Sequence, residues 1–233
     1  LAHAFTAALA VQGVVVLHLQ CSPFHRNTPL HPLAEHVRAM AGCEPTDTPA
    51  QQWDRIERRQ QAMGLSDPVD LQLLAQWLGL APAGRWAPLP WPPMAQQQHL
   101  QQALLRHLLA CAQGAPLLVW VEDVHWLDPS SLQLLAQLAQ WSPRAPGVLI
   151  TTRPQVDPVA LLQQALPVPW TVPVHTLELG PLSPEVAVQL VQEGGLNSPA
   201  GQALSRSMVE AIVRKADGVP LYLEEPVSYT HLR

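Results

Sequence analysis

The sequence predicts an α/β fold: a mostly parallel sheet flanked by helices and followed by a small helical module. Three observations carry that reading. Short apolar runs recur at residues 14–19 (VVVLHL), 117–121 (LLVWV) and 147–152 (GVLITT), as buried strands do. Between them the apolar positions fall at helical spacing, and strands alternating with helices specify a parallel sheet. From residue 183 onward the pattern is helical.

In chain order, residues 2–11 read as a helix feeding the first strand. Residues 30–40 form the next helix, with Leu33, Val37 and Met40 as its apolar positions. Helices over 51–61 and 69–78, joined by a turn at 64–68, lead into a Pro-, Gly- and Trp-containing connection over 81–93. Trp86 and Trp91 in that connection read as loop clamps in preference to a base-stacking pair. A long helix over 95–111 runs through Gln113 and Gly114 into the central strand. Asp128 and Pro129 open a helix over 129–140 as N-cap and first helical residue. A further short strand is expected at 174–179, broken by Pro181. Ser183, Pro184 and Glu185 open a helix to about residue 192. A helix over 200–214 follows, and Gly218 and Pro220 shape a turn before a short helix starting near Leu221.

Length and charge bound the function. The 233 residues suffice for one sizeable core, or one domain with part of a second. Thirteen basic against 18 acidic residues give a formal charge of -5, and no basic cluster is longer than Arg58-Arg59. That argues against direct nucleic-acid contact by this segment. No signal peptide is seen, and no apolar run approaches the roughly 18 residues needed to cross a bilayer, so no membrane partner is expected. Cys21, Cys43 and Cys111 are odd in number and lack the spacing of a thiolate metal site. They are expected to be reduced, in a cytoplasmic compartment. Cys21 and His25 could suggest a thiol nucleophile and base, but nothing orients them; a packing cysteine and a surface or capping histidine is the simpler reading.

The stretch PLLVWVEDVHWLDPSS, residues 116–131, concentrates the chemistry. Its apolar strand delivers Glu122 and Asp123 to the carboxyl edge of the sheet, where open α/β folds bind ligands. One acid could hold Mg2+ through its water shell and the other could orient an attacking water, with Arg153 at the neighbouring strand end reaching a terminal phosphate. The same pair could instead cap the fold. His125 reads as bonding within its turn, Trp126 as packing for the following helix, and Asp128 first as a helix cap. A phosphate site also needs a Gly-rich loop and a lysine. No GxxxxGK[ST] occurs, and Lys215, the single lysine, lies in the last turn of a helix.

Taken together, LHLQCSPFHRNTPLHPLAEHV, VWVEDVHWLDPSSLQLL, LITTRP, LELGPLS and IVRKADGVPLYLEE resemble the P-loop ATPase modules of the AAA-like and STAND regulatory class, of origin-recognition-like type. The resemblance is closest to bacterial multidomain regulators that carry such a module behind an adenylate/guanylate cyclase domain or ahead of a LuxR-type helix-turn-helix domain. These segments cover nearly the whole chain in order.

The resemblance implies a P-loop NTPase-like sheet lacking its first strand and phosphate loop over residues 1–182, the start of a helical lid over 183–225, and a non-native tail over 226–233. It puts Glu122 at the Walker B Mg2+ position, usually Asp in the wider class, and Asp123 at the adjacent acidic position. Arg153 matches the polar sensor segment. Gly218 and Pro220 match the GxP turn of the lid, near the nucleotide. Gln20 stands where an arginine often precedes the CSP segment. The implied role is a part of a signalling ATPase that regulates an output domain in cis. ATP and Mg2+ are expected to bind the intact parent, and neither is expected to bind well to this segment alone. Any cyclase activity would reside outside these residues. A homo-oligomer is among the implied assemblies, and the alternative is a non-hydrolysing scaffold or protein-interaction module of the same fold.

Overall fold

Strand β2 (Leu117–Glu122) lies between β1 (Val15–Gln20) and β3 (Gly147–Ile150) in a parallel three-stranded sheet of order β1-β2-β3. The computed structural model describes residues 1–140, 145–165, 172–194 and 205–224. Leu118 to Val121 are all buried, as a central strand covered on both faces requires. β1 alternates instead, with Leu17 and Leu19 buried and His18 and Gln20 exposed, the pattern of an edge strand with one face in the core. The sheet is the parallel α/β arrangement, flanked by helices, that the alternating pattern predicts. Its strands begin or end within two residues of the expected limits, because the apolar runs that define them are local.

Helices α1 (Ala2–Val11), α2 (His31–Met40), α3 (Pro49–Ala62), α4 (Pro68–Trp77), α5 (Pro93–Cys111), α6 (Pro129–Ala139) and α7 (Pro158–Gln164) complete this unit. The chain's high proline content has a structural reason here. Each of α2 to α7 carries proline at its first or second position, where its missing N–H costs nothing and its fixed φ favours the helix. Side chains of Thr48, Asp67, Asp128 and Asp157 cap four of these starts, each cap stabilising by about 1 kcal/mol. The core forms where Leu17, Leu19, Val119 and Val121 meet Leu33 and Val37 of α2, Leu104, Leu105 and Leu108 of α5, and Leu134 and Leu138 of α6. Trp86 meets the buried Trp53 edge to face at 5.7 Å, and Trp91 stacks on His99 at 4.2 Å. Both tryptophans therefore clamp the 81–93 connection, as expected.

Residues 174–179 correct the sequence reading. They pair with no strand among the described residues, and Leu177 and Leu179 are 75% and 67% exposed. Strand propensity expresses itself through packing against neighbours, and among the described residues no strand lies beside this run.

The chain divides into two compact units, Leu1–Val174 and His175–Arg233. In the second, α8 (Pro184–Gly194), α9 (Arg206–Ala216) and α10 (Leu221–Glu224) enclose a small core of Ala187, Val191, Val209, Ala216 and Leu223. Ser205 caps α9 by accepting from the Met208 N–H at 3.3 Å. The start of the expected helix over 200–214 and the tail over 226–233 lie outside the described residues. Among the described residues no helix is long and apolar enough to cross a membrane.

Gly218 shows why its turn needs glycine. Its φ is +75°, its carbonyl accepts from the Leu182 N–H at 2.8 Å, and a Cβ there would lie 2.7 Å from Pro181 Cβ and 2.9 Å from the Leu182 carbonyl oxygen. Gly218→Ala combines positive-φ strain with a backbone clash, and is expected to destabilise the second unit by about 2 kcal/mol or more. Faster amide exchange at Leu182 and across α8 and α9 reads this directly; unchanged exchange would contradict the close approach.

The first unit also buries two imidazoles. Burial pushes His36 from 6.5 down to about 4 and His107 down to about 3. The unfolded chain takes up protons near 6.5 that the folded chain refuses, so this contribution is complete above about pH 6.5 and is lost as pH falls towards 4 and below. Urea midpoints measured from neutral to acid pH are expected to fall in that window. His107→Asn is expected to flatten the slope, and an unaltered slope in that variant would contradict the assignment.

Candidate functional site

The carboxylate of Asp128 fixes the local architecture. The residue is only 2% exposed, and its oxygens accept four hydrogen bonds. Oδ1 accepts from the backbone N–H groups of Ser130 and Ser131 at 3.1 and 3.0 Å, which is the N-cap of α6, and Oδ2 accepts from Ser131 Oγ at 2.5 Å. Oδ1 also accepts from the Leu30 N–H at 3.0 Å. Leu30 is the buried N-cap of α2 and has a left-handed backbone with φ 59°, a conformation that costs a non-glycine residue roughly 1 kcal/mol. One side chain thus holds the starts of α2 and α6 together beneath the loops that leave β1 and β2.

At the carboxyl edge, Gln20 and Glu122 are register partners. The Thr151 N–H donates to the Val121 carbonyl and its own carbonyl accepts from Val124, both at 3.0 Å, so the ladder continues one step beyond β3. Glu122 accepts from or pairs with His18 Nε2 at 3.0 Å, and the His18 ring stacks on Trp120 with centroids 3.9 Å apart. His18 and Glu122 are 35% and 29% exposed as side chains, so the pair adds at most about 1 kcal/mol; its effect is to orient the carboxylate. Sequence reasoning did not find His18. The outward phase of VVVLHL could have placed it on the exposed face, but not beside Glu122.

Asp123 is exposed and left-handed at φ 58°, and its N–H donates to Thr151 Oγ1 at 3.0 Å. The chain turns sharply there and leads into the 3-10 turn Val124–Trp126. Arg153 lies with its guanidinium 5.5 Å from the centre of the Trp126 ring, a cation–π approach. Trp126 also packs against the core, as expected. His125 departs from its expected hydrogen bond within the turn. Both ring nitrogens are buried without a partner, and burial first, then Arg153, lowers its pKa against the opposing pull of Asp123. Glu122, Asp123, His125 and Arg153 therefore all lie at or just beyond the carboxyl ends of the paired strands β2 and β3.

The other sequence-predicted site residues lie in the second unit, where Gly218 and Pro220 form the turn between α9 and α10. Cys21 is buried, and desolvation with the nearby Asp123, Asp128 and Glu122 charges pushes its thiol up to about 12. His25 stacks on His31 at 3.7 Å. The thiol is thus a packing group, as the simpler reading held.

With this geometry in hand, relatives can be compared. A family model described as the AAA ATPase domain matches residues 1–151. An uncharacterized protein of Rhizobium meliloti (strain 1021) is 30% identical over 213 residues, which is 90% of this chain and 19% of that protein. The chain thus spans about a fifth of its relative's length. No solved structure matches it.

Removing the Asp128 carboxylate strips a helix cap and leaves the buried Leu30 N–H without a partner. Asp128→Ala is expected to cost about 2–4 kcal/mol in urea unfolding. Asp128→Asn keeps one acceptor oxygen and is expected to cost less. Equal losses in the two variants would contradict the shared-cap geometry.

Proposed function

Because the chain belongs to the AAA ATPase domain family, we propose that its nucleotide-binding, ATPase-type function resides in a multidomain bacterial regulator of the STAND, origin-recognition-like class. Nucleotide state in such a protein would switch an attached output domain, a cyclase or a DNA-binding module. The single observation that carries the reading is the placement of Glu122 and Asp123 together at the carboxyl end of the central strand, with Arg153 held over Trp126 of the turn that follows. Ligands bind α/β sheets at that edge.

Carboxylate oxygens are the donors that Mg2+ takes, and both acids reach the surface of the strand edge, so the residues fit that ion. Mg2+ with ATP would supply charge neutralisation at the phosphates. Glu122 would hold the ion's water shell, with His18 setting the carboxylate's direction. Asp123 would accept a hydrogen bond from the attacking water and orient it. Arg153, parked on Trp126, is long enough to reach a terminal phosphate. Gly218 and Pro220 would present the lid turn to the nucleotide. These residues contain no Gly-rich phosphate-cradling loop with its lysine, which is why the present 233 residues are not proposed to bind MgATP well by themselves. All three cysteines are free, which suits a reducing, cytoplasmic setting.

The test uses the longer protein with a GK[ST] loop ahead of Leu1. Glu122→Gln is expected to lower Mg2+-dependent ATP turnover about a hundredfold or more while nucleotide binding persists. Turnover equal to that of the unaltered protein would overturn the Glu122 assignment. A longer protein with no such loop would favour the non-hydrolysing scaffold instead.

A further inference from the structure

Away from the strand edge, three ligand-type side chains converge inside the first unit. His107 and Cys111 stand four residues apart on α5, one helical turn, and so share a face. His36 of α2 meets them there. Cys111 Sγ lies 3.9 Å from His107 Nε2 and 3.9 Å from His36 Nε2. One ligand atom from each residue lies within 4.8 Å of the others, and all three residues are buried.

Ordinary hydrogen bonding accounts poorly for this cluster. A thiol is a weak donor with one proton and a weak acceptor, and both sulfur contacts are long. The far nitrogen of His107 is engaged: Nδ1 lies 2.9 Å from Gln60 Nε2 and 3.3 Å from Gln60 Oε1, with Gln60 itself buried on α3. The Gln60 amide can serve either tautomer by turning over. With its carbonyl accepting from Nδ1–H, it leaves the Nε2 lone pair aimed at the cluster, the arrangement that metal-bound histidines use.

We propose that His36, His107 and Cys111 form a two-nitrogen, one-sulfur site for a zinc-class cation, with Gln60 as the residue that positions His107. Tetrahedral zinc at bond lengths of about 2.0 to 2.3 Å holds its sulfur and nitrogen ligands about 3.6 Å apart. The two observed 3.9 Å sulfur–nitrogen separations need contract by only a few tenths of an ångström, while the two imidazole nitrogens, which lie within 4.8 Å of each other, must draw in further, towards the roughly 3.3 Å that tetrahedral zinc sets. The low values of both imidazoles make them neutral lone-pair donors at neutral pH. Cys111, pushed up to about 11 chiefly by burial, releases its proton to solvent as the sulfur–metal bond forms. The Arg59 charge helps this deprotonation and opposes the incoming cation, so affinity falls short of that of four-ligand structural sites. The site would clamp α2 to α5. It uses none of the strand-edge residues and does not depend on the proposed ATPase role.

Cobalt(II) is the probe, added to the purified 233-residue chain. The expected result is one equivalent bound, with a sulfur-to-cobalt charge-transfer band that Zn2+ abolishes by displacement. The band persists when Cys21 and Cys43 are both replaced by serine, a variant that keeps Cys111 as its one thiol. It disappears in Cys111→Ser, and Gln60→Leu weakens cobalt affinity about tenfold to a hundredfold. Absence of the band in the unaltered chain, or in the Cys21→Ser/Cys43→Ser variant, overturns the proposal, as does a band that survives Cys111→Ser.

Discussion

The buried carboxylate of Asp128 is the constraint on which the strand edge depends. A carboxylate taken out of water is costly unless its oxygens are satisfied. This one accepts three backbone N–H groups and a hydroxyl. Two of the N–H groups belong to the first turn of α6, where the helix dipole favours negative charge. The third belongs to Leu30, whose left-handed backbone, costing roughly 1 kcal/mol, is offset in part by this bond. Because α2 follows β1 and α6 follows β2, one side chain sets the spacing of the loops that leave two adjacent strands.

Glu122 and Asp123 stand at the carboxyl end of β2, a few residues ahead of that anchor. Glu122 ends the central strand and is steadied by His18 from the neighbouring strand. Asp123 turns the chain sharply, with its N–H held by Thr151 beyond β3. Each of these contacts crosses between strands, so the edge forms only when the parallel register forms. The packing beneath it supplies rigidity through large buried side chains of α2, α5 and α6, while proline at the helix starts limits the freedom of the loops. Membership of the AAA ATPase domain family gives this edge its nucleotide-facing reading.

Much of this was legible in the sequence, and the limit is set by distance along the chain. The apolar runs of β1, β2 and β3 and the Asp128-Pro129 helix start are local signals, and the structure follows them closely. The Leu30 to Asp128 bond spans 98 residues and the His18 to Glu122 pair spans 104; neither has a local signature. The same holds for His36 beside Cys111, so cysteine spacing alone gave no hint of the buried cluster. Residues 174–179 show the opposite failure. Their alternation is strand-like, but among the described residues no neighbouring strand rewards it. His125 was expected to bond in its turn, and burial without a partner reflects tertiary packing that a three-residue turn does not encode.

The most direct test of the nucleotide-facing edge is calorimetric titration of MgATP into the 233-residue chain and into the same chain extended upstream through a GK[ST] loop. The expected result is saturable binding to the extended protein and none to the shorter chain, because in the proposed arrangement Glu122 and Asp123 would meet only the metal side of the nucleotide and the phosphates would need the loop. Saturable binding by the 233 residues alone, or no binding by the extended protein, would contradict it.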